Sequence, residues 1–533
     1  MTITRRSCKA STTGKLATGL LGLSLFTSAA SDWPQYRGPT HDGVSTDRIL
    51  SQWDTNRPGF VVWRNRSLTN GFSSFAVSQG RAFTLISRDL GELKEVCVAV
   101  DAATGTNLWA TVIDSAPWDP SYTGDGGSGI APYYKGDGPR STPAVKDGRV
   151  VALSGFLHLV CLNATNGSVI WSNNLIASYG ASEIAWQNAA SPRLDGDLIF
   201  ANLNGSTNNR TLVAFRITDG SRAWSALLNE NMTHATPVVA TIEGVRQVIF
   251  ATPWHLVSLN CTNGAFLWLY DYPFYPSTSM GASPIVHSNI VFCSASYGRG
   301  AAAARITYAG GNWTATHLYY KTGLNYRSIW MTPVCSGGYV YTLCGENYGT
   351  SPMQPLNCIE LNTGNLMWFT DDFGRGGTIL VDGKVLTLTE DGQLVLSQPD
   401  PAAYLELARF RAFDFNAAGP GKCWNSPAVA DGRIYARSTR GGICVDVSVP
   451  PLRMLRPQFM AGNRLQLLIG TANGSPLDSN RFAKLEVRYT TNLATSLPNW
   501  TKLTNSLVLT NGQVRVDNVD GGAFRCFIAA ESP

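Results

Sequence analysis

Six of the Ser-Pro and Thr-Pro pairs in the chain each open an apolar strand pattern, and the residues just before them carry side chains suited to binding chemistry. The pairs end at Pro143, Pro192, Pro237, Pro284, Pro333 and Pro427. The upstream residues of interest are Arg140, Trp186, Asn188, His234, Met280, Arg327, Trp330, Trp424 and Asn425. Aromatic walls with a few polar groups are typical of small-molecule pockets, and arginine pairs with carboxylates and stacks on rings. If these residues converge, they predict a pocket for an anionic or ring-shaped ligand, with residues 114–139 as its flap.

The sequence lacks the motifs of common catalytic and metal sites. HExxH, CxxC, GxSxG and Walker patterns are absent. The six histidines show no metal-ligand spacing; they are His41, His158, His234, His255, His287 and His317. Residues 124–129 formally match GxGxxG, but no strand leads in and no helix follows, so we interpret them as a surface loop. We therefore predict no catalytic residue and no metal site.

Five copies of one hairpin pattern surround these positions. The clearest copy, residues 96–110, reads VCVAVDAATGTNLWA, an alternating apolar strand followed by a turn and an outgoing strand. Glycine suits such a turn because it takes positive φ without steric cost. In every copy a glycine lies four residues before a tryptophan; the pairs are Gly105 with Trp109, Gly167 with Trp171, Gly220 with Trp224, Gly264 with Trp268, and Gly364 with Trp368.

The spacing of the proline pairs predicts the architecture. Proline is tolerated at the first residue of a strand, and successive pairs are 49, 45, 47, 49 and 94 residues apart. Since 94 is twice 47, a unit without the marker is expected near Ile379, and another precedes the first pair near Phe75. Eight all-β units of about four strands predict an eight-bladed β-propeller over residues 59–449. Residues 59–63 are expected to complete the last unit and close the ring.

The repeated hairpin pattern resembles that of the pyrroloquinoline-quinone (PQQ) repeat family, whose blades carry Ala-x-Asp-x-x-Thr-Gly-x-x-x-Trp. All five fixed positions of that pattern are matched, by Ala99, Asp101, Thr104, Gly105 and Trp109. DWPQYRGPTHDGVS at residues 32–45 and SPAVADGRIYAR at residues 426–437 are similar to secreted bacterial members. The resemblance covers residues 32–449 and implies a β-propeller with tryptophans packed between its blades.

Composition and chain ends limit the remaining possibilities. The net charge of +5 falls to about +1 without the four basic residues of 1–30, so there is no electrostatic footprint for nucleic acid. Residues 1–30 are predicted to be a cleaved secretory signal, which favours a periplasmic or secreted protein without a transmembrane segment. Residues 31–58 are expected to form an irregular arm, and residues 450–533 a small C-terminal β-sandwich-like domain.

The cysteines are expected to be mostly free thiols. The alanine position of the hairpin pattern holds Ala99, Cys161, Ala214, Ser258 and Cys358 in the five copies. Cysteine alternates there with other small residues, so it is interpreted as a small buried hydrophobe rather than as half of a disulfide.

Two functions of different classes follow from the resemblance. The first is a non-enzymatic exported scaffold, similar in architecture to the propeller lipoprotein of the outer-membrane barrel-assembly machinery. It would bind a small anionic ligand or an extended peptide or protein partner at the central channel. The alternative is a quinoprotein dehydrogenase that holds PQQ and calcium. Those enzymes typically have two adjacent cysteines, and this sequence has no Cys-Cys pair. We favour the scaffold, with no certain cofactor.

Overall fold

The described part of the chain is mainly β-structure. The computed structural model describes residues 31–531, except 90–92, 116–137, 206–210, 274–279, 346–353, 416–420, 478, 493, 496 and 522–524. The residues up to Ser448 form one compact unit, and those from Val449 onward form a second. The predicted signal, the GxGxxG segment and most of the predicted flap lie outside the described residues. None of the helices in the described ranges is long and apolar enough to cross a membrane.

Among its described residues the first unit contains seven sheets of four antiparallel strands and an eighth in which β1 adds a parallel strand to four antiparallel ones. A short strand β1 (Val44–Ser45) and a longer β2 (Val61–Thr69) precede them. Sheets 1 to 4 follow in chain order. They are β3 (Ala76–Ser78), β4 (Arg81–Asp89), β5 (Leu93–Asp101), β6 (Asn107–Ser115); β7 (Ala144–Lys146), β8 (Arg149–Leu153), β9 (His158–Asn163), β10 (Val169–Asn174); β11 (Arg193–Asp195), β12 (Leu198–Asn202), β13 (Leu212–Arg216), β14 (Arg222–Ser225); and β15 (Val238–Ile242), β16 (Val245–Ala251), β17 (His255–Asn260), β18 (Phe266–Asp271).

Sheets 5 to 8 repeat the arrangement. They are β19 (Ile285–His287), β20 (Ile290–Ala295), β21 (Gly300–Ala309), β22 (Asn312–Lys321); β23 (Val334–Ser336), β24 (Tyr339–Leu343), β25 (Pro355–Glu360), β26 (Leu366–Asp372); β27 (Gly377–Val381), β28 (Lys384–Leu388), β29 (Gln393–Gln398), β30 (Leu405–Arg411); and β31 (Ala428–Ala430), β32 (Arg433–Ser438), β33 (Arg440–Asp446) with β2 as the fourth strand. A five-residue helix α1 (Leu175–Tyr179) follows β10, and a 3-10 turn (Leu324–Tyr326) follows β22.

The pairing of β2 with β33 confirms the predicted closure of the last sheet. Residues 61–69 run antiparallel to residues 440–446, with Trp63 opposite Cys444 and Arg64 opposite Ile443. The strand begins two residues later than expected and is longer, but its role as the fourth strand of sheet 8 is as predicted. The first unit therefore joins an early strand to its last strand through backbone hydrogen bonds.

Each glycine turn is built by local hydrogen bonds. In sheet 1 the Asp101 carboxylate accepts the N–H groups of Ala103 and Thr104 at 2.9 and 2.8 Å, and Gly105 takes φ +71°. A side chain that bonds its own backbone a few residues on stabilises such a turn. Asn163 and Asn260 accept similar bonds in sheets 2 and 4, which explains why asparagine can replace aspartate in the pattern.

The tryptophan of one sheet packs on the glycine turn of the next. A β-carbon added to Gly167, Gly220 or Gly264 would lie 2.5–2.7 Å from the indole of the preceding sheet. The indole N–H also donates to a turn carbonyl; the pairs are Trp63 with Ala102, Trp109 with Ala164, Trp171 with Ile217, Trp224 with Cys261, and Trp368 with Asp400, at 2.8–3.1 Å. Each contact combines apolar burial with a satisfied indole N–H.

Sheet 5 departs from this rule because it lacks the glycine turn. Trp268 of sheet 4 instead donates to Gln247 of its own sheet at 2.6 Å. At the next junction Tyr319 replaces the tryptophan: its ring lies over Gly364, and its hydroxyl donates to the Leu361 carbonyl at 3.0 Å. An aromatic ring with one donor is therefore retained although the residue type changes.

The small residue of the pattern lies directly opposite the tryptophan. Ala99 pairs with Trp109, Cys161 with Trp171, Ala214 with Trp224, Ser258 with Trp268, and Cys358 with Trp368. The ten described cysteines form no disulfide, which confirms the expected free thiols. Burial raises the pKa of Cys161 and of Cys358 to about 11, so both are protonated at neutral pH.

The N-terminal arm makes contacts across several sheets. The sequence predicts an irregular arm, and the structure has one short strand within it, β1, which runs parallel to β27 of sheet 7. Arm residues bond to sheets 1, 2, 3 and 7 through Trp33 with Val77, Pro34 with Val145, Gln35 with Leu194, and Arg37 with Thr378. Arg37 is almost fully buried, and its guanidinium donates to the carbonyls of Asp42, Thr332, Pro333 and Thr378.

The second unit consists of two antiparallel sheets around one apolar cluster. One sheet contains β34 (Leu452–Met454), β35 (Gln458–Met460), β36 (Arg464–Thr471), β39 (Leu507–Thr510) and β40 (Gln513–Asp520); the other contains β37 (Leu485–Thr490), β38 (Thr501–Lys502) and β41 (Cys526–Glu531). A short helix α2 (Ser479–Ala483) precedes β37, and a 3-10 turn (Leu497–Asn499) precedes β38. Leu467 and Val516 of the first sheet share the cluster with Val487 and Phe527 of the second.

The contact between indole and turn predicts different effects for two glycines of sheet 4. Gly264 and Gly244 have similar φ values, +70° and +76°, but only a β-carbon at Gly264 would meet Trp224. Both alanine variants carry the strain of a left-handed residue, about 1–2 kcal/mol. Gly264→Ala should lose an additional ~1–3 kcal/mol through overpacking. Denaturant unfolding measures this difference, and equal losses in the two variants would rule out the packing role of Trp224.

A buried histidine of the arm predicts a loss of stability in acid. His41 is 5% exposed, its Nδ1 accepts from Arg193 at 2.9 Å, and its Nε2 lies 3.7 Å from Asp195. Burial lowers the pKa of His41 to about 4. The unfolded chain binds this proton near pH 6.5 and the folded chain resists it, so stability should fall as the pH drops from about 6.5 to 4, by at most ~3 kcal/mol.

The matched variant for this effect is His41→Asn, which does not titrate. Its unfolding free energy should show a shallower pH dependence than the wild type between pH 6.5 and 4. The same slope in both proteins would mean that His41 titrates normally in the folded state.

Candidate functional site

Ser and Thr hydroxyls join the beginnings of neighbouring innermost strands. Seven such residues each lie two positions before an innermost strand, and we call them the hydroxyl belt: Ser74, Thr142, Ser191, Thr236, Ser283, Thr332 and Ser426. In four cases the backbone N–H of one belt residue donates to the hydroxyl of the next, at 2.9–3.0 Å. The Ser283 hydroxyl donates to the Thr236 carbonyl, and that of Ser74 to the Ser426 carbonyl. The last bond joins sheet 8 to sheet 1.

The belt explains why the sequence marker is Ser-Pro or Thr-Pro. Each marker strand begins one residue after its proline, which confirms the predicted strand starts. The proline fixes the local φ, while the hydroxyl before it accepts or donates a bond to the neighbouring sheet. Residues at equal distances from the marker are therefore held at equivalent places around the ring.

Eight residues, one before each innermost strand, line a single cavity of about 490 Å³. Seven lie two positions before a belt residue, and the eighth, Gly376, lies one position before β27 of sheet 7. They are Phe72, Arg140, Ala189, His234, Gly281, Trp330, Gly376 and Trp424, one from each sheet. Three of them are glycine or alanine, and these small residues leave space in the cavity between the larger side chains.

The cavity brings together six of the eight site residues proposed from the sequence. These are Arg140, Trp186, His234, Trp330, Trp424 and Asn425. Asn188 and Arg327 are not among the lining residues. The Asn188 amide donates to the Ser154 and Ala190 carbonyls, and Arg327 follows the 3-10 turn five residues before Thr332. Met280 is also outside the lining and packs in an apolar cluster with Tyr272.

Twelve of the eighteen lining residues were not proposed from the sequence, and four of them show which signals were missed. Phe72 precedes Ser74 as Trp424 precedes Ser426, but Phe75 replaces the proline of the marker. Gly376 belongs to the unit that lacks the marker altogether. Tyr36 comes from the arm, and Tyr297 from the turn before β21. Gly376 lies 46 residues after Trp330 and 48 before Trp424, so the spacing of about 47 residues could have found it, but Phe72 lies 68 residues before Arg140. No local pattern indicates Tyr36 or Tyr297.

Trp424 is held on several sides within the cavity wall. Its ring stacks on Phe72 at 5.0 Å and lies 4.7 Å from Trp330 between centroids. Its indole N–H donates to the Glu390 carboxylate at 2.8 Å. The Lys422 ammonium and the Arg375 guanidinium lie 4.2 and 4.8 Å from its centroid, within the range of cation–π contacts. These contacts fix the orientation of an aromatic wall.

Trp186 sits on a strained stretch of backbone. Trp186 and Gln187 have φ values of +63° and +60° in succession, and such conformations cost about 1–3 kcal/mol each. The Arg140 guanidinium donates to the Trp186 carbonyl at 2.8 Å, and His234 Nε2 contacts the Ala185 carbonyl at 2.9 Å. Neighbouring sheets thus hold the segment in place, as is common at binding sites.

The arm lies on the opposite side of the belt from these residues. Val77, Val145 and Leu194, which bond to the arm, each lie three residues after a belt residue. The lining residues compared above lie on the other side of the belt in sequence. Tyr36 reaches the cavity from the arm, and its hydroxyl is 2.8 Å from that of Thr332.

Arg140 is the one Lys, Arg, Asp or Glu residue among the described lining residues. Within the described ranges there is also no group of three His, Cys, Asp or Glu residues that could hold a metal ion. The arrangement can stack on rings and form a limited set of hydrogen bonds, which is the chemistry of binding.

Comparison with known proteins supports the fold. The family model described as outer membrane protein assembly factor BamB matches residues 92–325. A quinohemoprotein alcohol dehydrogenase from Comamonas testosteroni has a TM-score of 0.52 at 14% identity, over 81% of this chain and 83% of that one. BamB from Moraxella catarrhalis has a TM-score of 0.45 at 13% identity, over 75% of this chain and 97% of that one. No curated protein sequence matches the chain. The resemblance to PQQ-repeat β-propellers is confirmed.

The belt predicts unequal effects of two substitutions at Thr142. Its hydroxyl accepts the Ser74 N–H at 3.0 Å. Thr142→Val keeps the shape but leaves that buried N–H without a partner, which should cost about 1–3 kcal/mol. Thr142→Ser keeps the hydroxyl and should cost less than the valine variant. Chemical denaturation of both variants provides the measurement, and a valine variant as stable as the serine variant would show that the belt bond is unimportant.

Proposed function

We propose that this PQQ-repeat β-propeller protein is a ligand-binding scaffold and that the aromatic cavity is its site. One observation carries the proposal: seven of the eight sheets contribute the residue two positions before the belt to one cavity, and sheet 7 contributes Gly376. The ligand we propose is a small ring-shaped molecule, because Trp186, Trp330, Trp424 and Phe72 offer faces and edges for stacking.

We further propose that the eight sheets are the blades of one ring and that the second unit is a separate β-sandwich module. The pairing of β2 with β33 and the bond from Ser74 to Ser426 support the closed ring. The secretory character of residues 1–30 supports a periplasmic or secreted location. A scaffold in that location would meet ligands or protein partners at the open end of the cavity.

The alternative function, a PQQ- and calcium-dependent dehydrogenase, fits the described residues less well. Calcium is bound by carboxylate and carbonyl oxygens, and the described lining contains no Asp or Glu. Glu390 lies behind Trp424, where the indole and Arg375 already bind its carboxylate. We therefore derive no reaction step through a bound quinone.

Titration with PQQ, with and without calcium, separates the two functions. As a planar tricarboxylate, PQQ probes a ring-binding cavity, and quenching of tryptophan emission reports its binding. We expect saturable quenching that is unchanged by calcium and weakened about tenfold by Trp330→Ala, which removes a stacking face. Ethanol or glucose should not then reduce an electron-accepting dye.

Two results would count against this proposal. Binding that requires calcium and supports dye reduction would establish the dehydrogenase. Absence of saturable quenching would remove the ring-binding role of the cavity. Trp254→Ala is the matched control, because Trp254 is 38% exposed and is not a cavity residue.

A further inference from the structure

A second cavity lies between the outer strands of sheets 6 and 7. Its volume is about 950 Å³, at the upper end of the range of small-molecule sites. Phe369 and Asp371 of β26 line one side, and Glu406 and Arg409 of β30 line the other. We call the cavity between these four residues the outer groove. None of its described lining residues lines the central cavity, so it is a separate candidate site.

The polar side chains of the outer groove are joined in one hydrogen-bond network. Arg409 donates to both carboxylate oxygens of Glu406 at 2.9 and 2.6 Å, and to the Gln393 amide oxygen at 3.1 Å. The Gln393 amide nitrogen donates to Asp391 at 3.0 Å, and the Tyr404 hydroxyl donates to Glu406 at 2.7 Å. A carboxylate has about four lone-pair sites and a guanidinium five N–H donors, so the network holds spare donors and spare acceptors in fixed positions.

These polar groups are accessible to a bound molecule. The side chains of Arg409 and Glu406 are 38% and 32% exposed, and that of Asp391 is 54% exposed. Asp371 is exposed as well, and within the described ranges no hydrogen bond or ion pair reaches its carboxylate. A ligand in the groove can therefore contact all four side chains directly.

The charges of the outer groove nearly cancel. Three of the four carboxylates in its described lining each have an oxygen within 3.4 Å of an arginine nitrogen; the pairs are Glu406 with Arg409, Asp391 with Arg411, and Glu390 with Arg375. Asp371 is the fourth. A ligand held mainly by its positive charge would need an unbalanced site, whereas spare donors and acceptors side by side match hydroxyl groups, which both donate and accept.

Aromatic rings lie beside these polar groups. Phe369 is 54% exposed. Phe373 and Tyr404 also line the groove and meet edge to face, with 6.1 Å between ring centroids. A sugar ring combines a face of carbon atoms, which packs on aromatic rings, with hydroxyls that reach planar polar groups. The outer groove offers both kinds of contact.

We propose that the outer groove binds a neutral oligosaccharide chain. The Asp371 carboxylate accepts from the hydroxyls of one sugar ring, Arg409 and Gln393 bond to further hydroxyls, and Phe369 packs on a ring face. The groove has about twice the volume of the central cavity, which favours several linked rings over a single one. This site lies outside the central cavity, so the inference goes beyond the proposed function.

Titration of the full-length protein with neutral oligosaccharides tests the proposal. The panel contains maltotetraose, cellotetraose, xylotetraose, mannotetraose and tetra-N-acetylchitotetraose, and calorimetry measures binding. At least one of them should bind saturably. Its affinity should be the same with and without PQQ, because the two sites share no described lining residue.

The open carboxylate of Asp371 provides the first variant. Asp371→Ala should weaken binding of the oligosaccharide about tenfold, as expected for the loss of hydrogen bonds to a charged group. Asp271→Ala is the matched control, because Asp271 follows Trp268 by three residues as Asp371 follows Trp368. The Asp271 side chain is 84% exposed and lies outside the groove, so this variant should keep the wild-type affinity.

The exposed ring of Phe369 provides the second variant. Phe369→Ala should weaken binding about threefold to tenfold through the loss of a packing face. Phe266→Ala is its control, since Phe266 is 53% exposed on the outer strand β18 and is not a groove residue. All four variants change exposed side chains and should melt at the wild-type temperature.

The outcomes distinguish failure of this inference from failure of the proposed function. If no oligosaccharide binds, the glycan site is refuted, and PQQ quenching still decides the role of the central cavity. If tetralysine binds in place of the oligosaccharides, the groove serves a cationic peptide instead. Competition between PQQ and the oligosaccharide would move the glycan to the central cavity. Unchanged affinity in both Asp371→Ala and Phe369→Ala would also overturn the assignment to the outer groove.

Discussion

The hydrogen bond between a belt hydroxyl and the backbone of the next sheet is the constraint on which the site depends. Where it is present, it fixes the start of one innermost strand relative to its neighbour, as with Thr142 and Ser191 or Ser283 and Thr332; sheet 7 has no belt residue. A proline one residue later removes a backbone donor and restricts φ at the same point. Once the strand starts are aligned, the residues two positions earlier must face one another, whatever their side chains are.

The belt acts at the start of the innermost strands, and the indole contacts act at the glycine turns farther along the sheets. Trp109 and Trp224 reach the glycine turn of the next sheet, where the indole N–H finds a carbonyl. The tryptophans therefore divide into those that join sheets and those that line the cavity, such as Trp330 and Trp424. Sheet 5 lacks the glycine turn that an indole of the preceding sheet would contact, but Ser283 is still part of the belt. The geometry of the cavity therefore does not require an indole contact between every pair of sheets.

Much of the fold could be predicted because it repeats. The glycine turn, the tryptophan and the proline marker each recur at similar distances along the chain. A repeated pattern remains recognisable even where substitutions alter single copies. The pairing of β2 with β33 followed from counting strands, since the last unit has three of its own. The cavity was located for the same reason: Arg140, His234, Trp330 and Trp424 are copies of one position.

The remaining parts of the site depend on contacts that leave no periodic trace. Asn188 and Arg327 lie near a marker in sequence, but they are three and five residues before it and are absent from the lining. Trp186 is also five residues before its belt residue, yet the positive φ values at Trp186 and Gln187 place it among the lining residues. Tyr36 reaches the cavity because Arg37 is buried among carbonyls of sheets 6 and 7, a long-range arrangement that residue types alone do not indicate.

Fluorine NMR of protein labelled with 5-fluorotryptophan tests the central claim most directly, because it observes both classes of tryptophan at once. Single Trp→Phe variants assign the resonances, and PQQ without calcium serves as the probe. If the cavity is the binding site, the resonances of Trp186, Trp330 and Trp424 should shift on addition of PQQ, while those of Trp109, Trp171 and Trp224 should not. Shifts confined to the tryptophans between sheets, or no shift at all, would contradict the account.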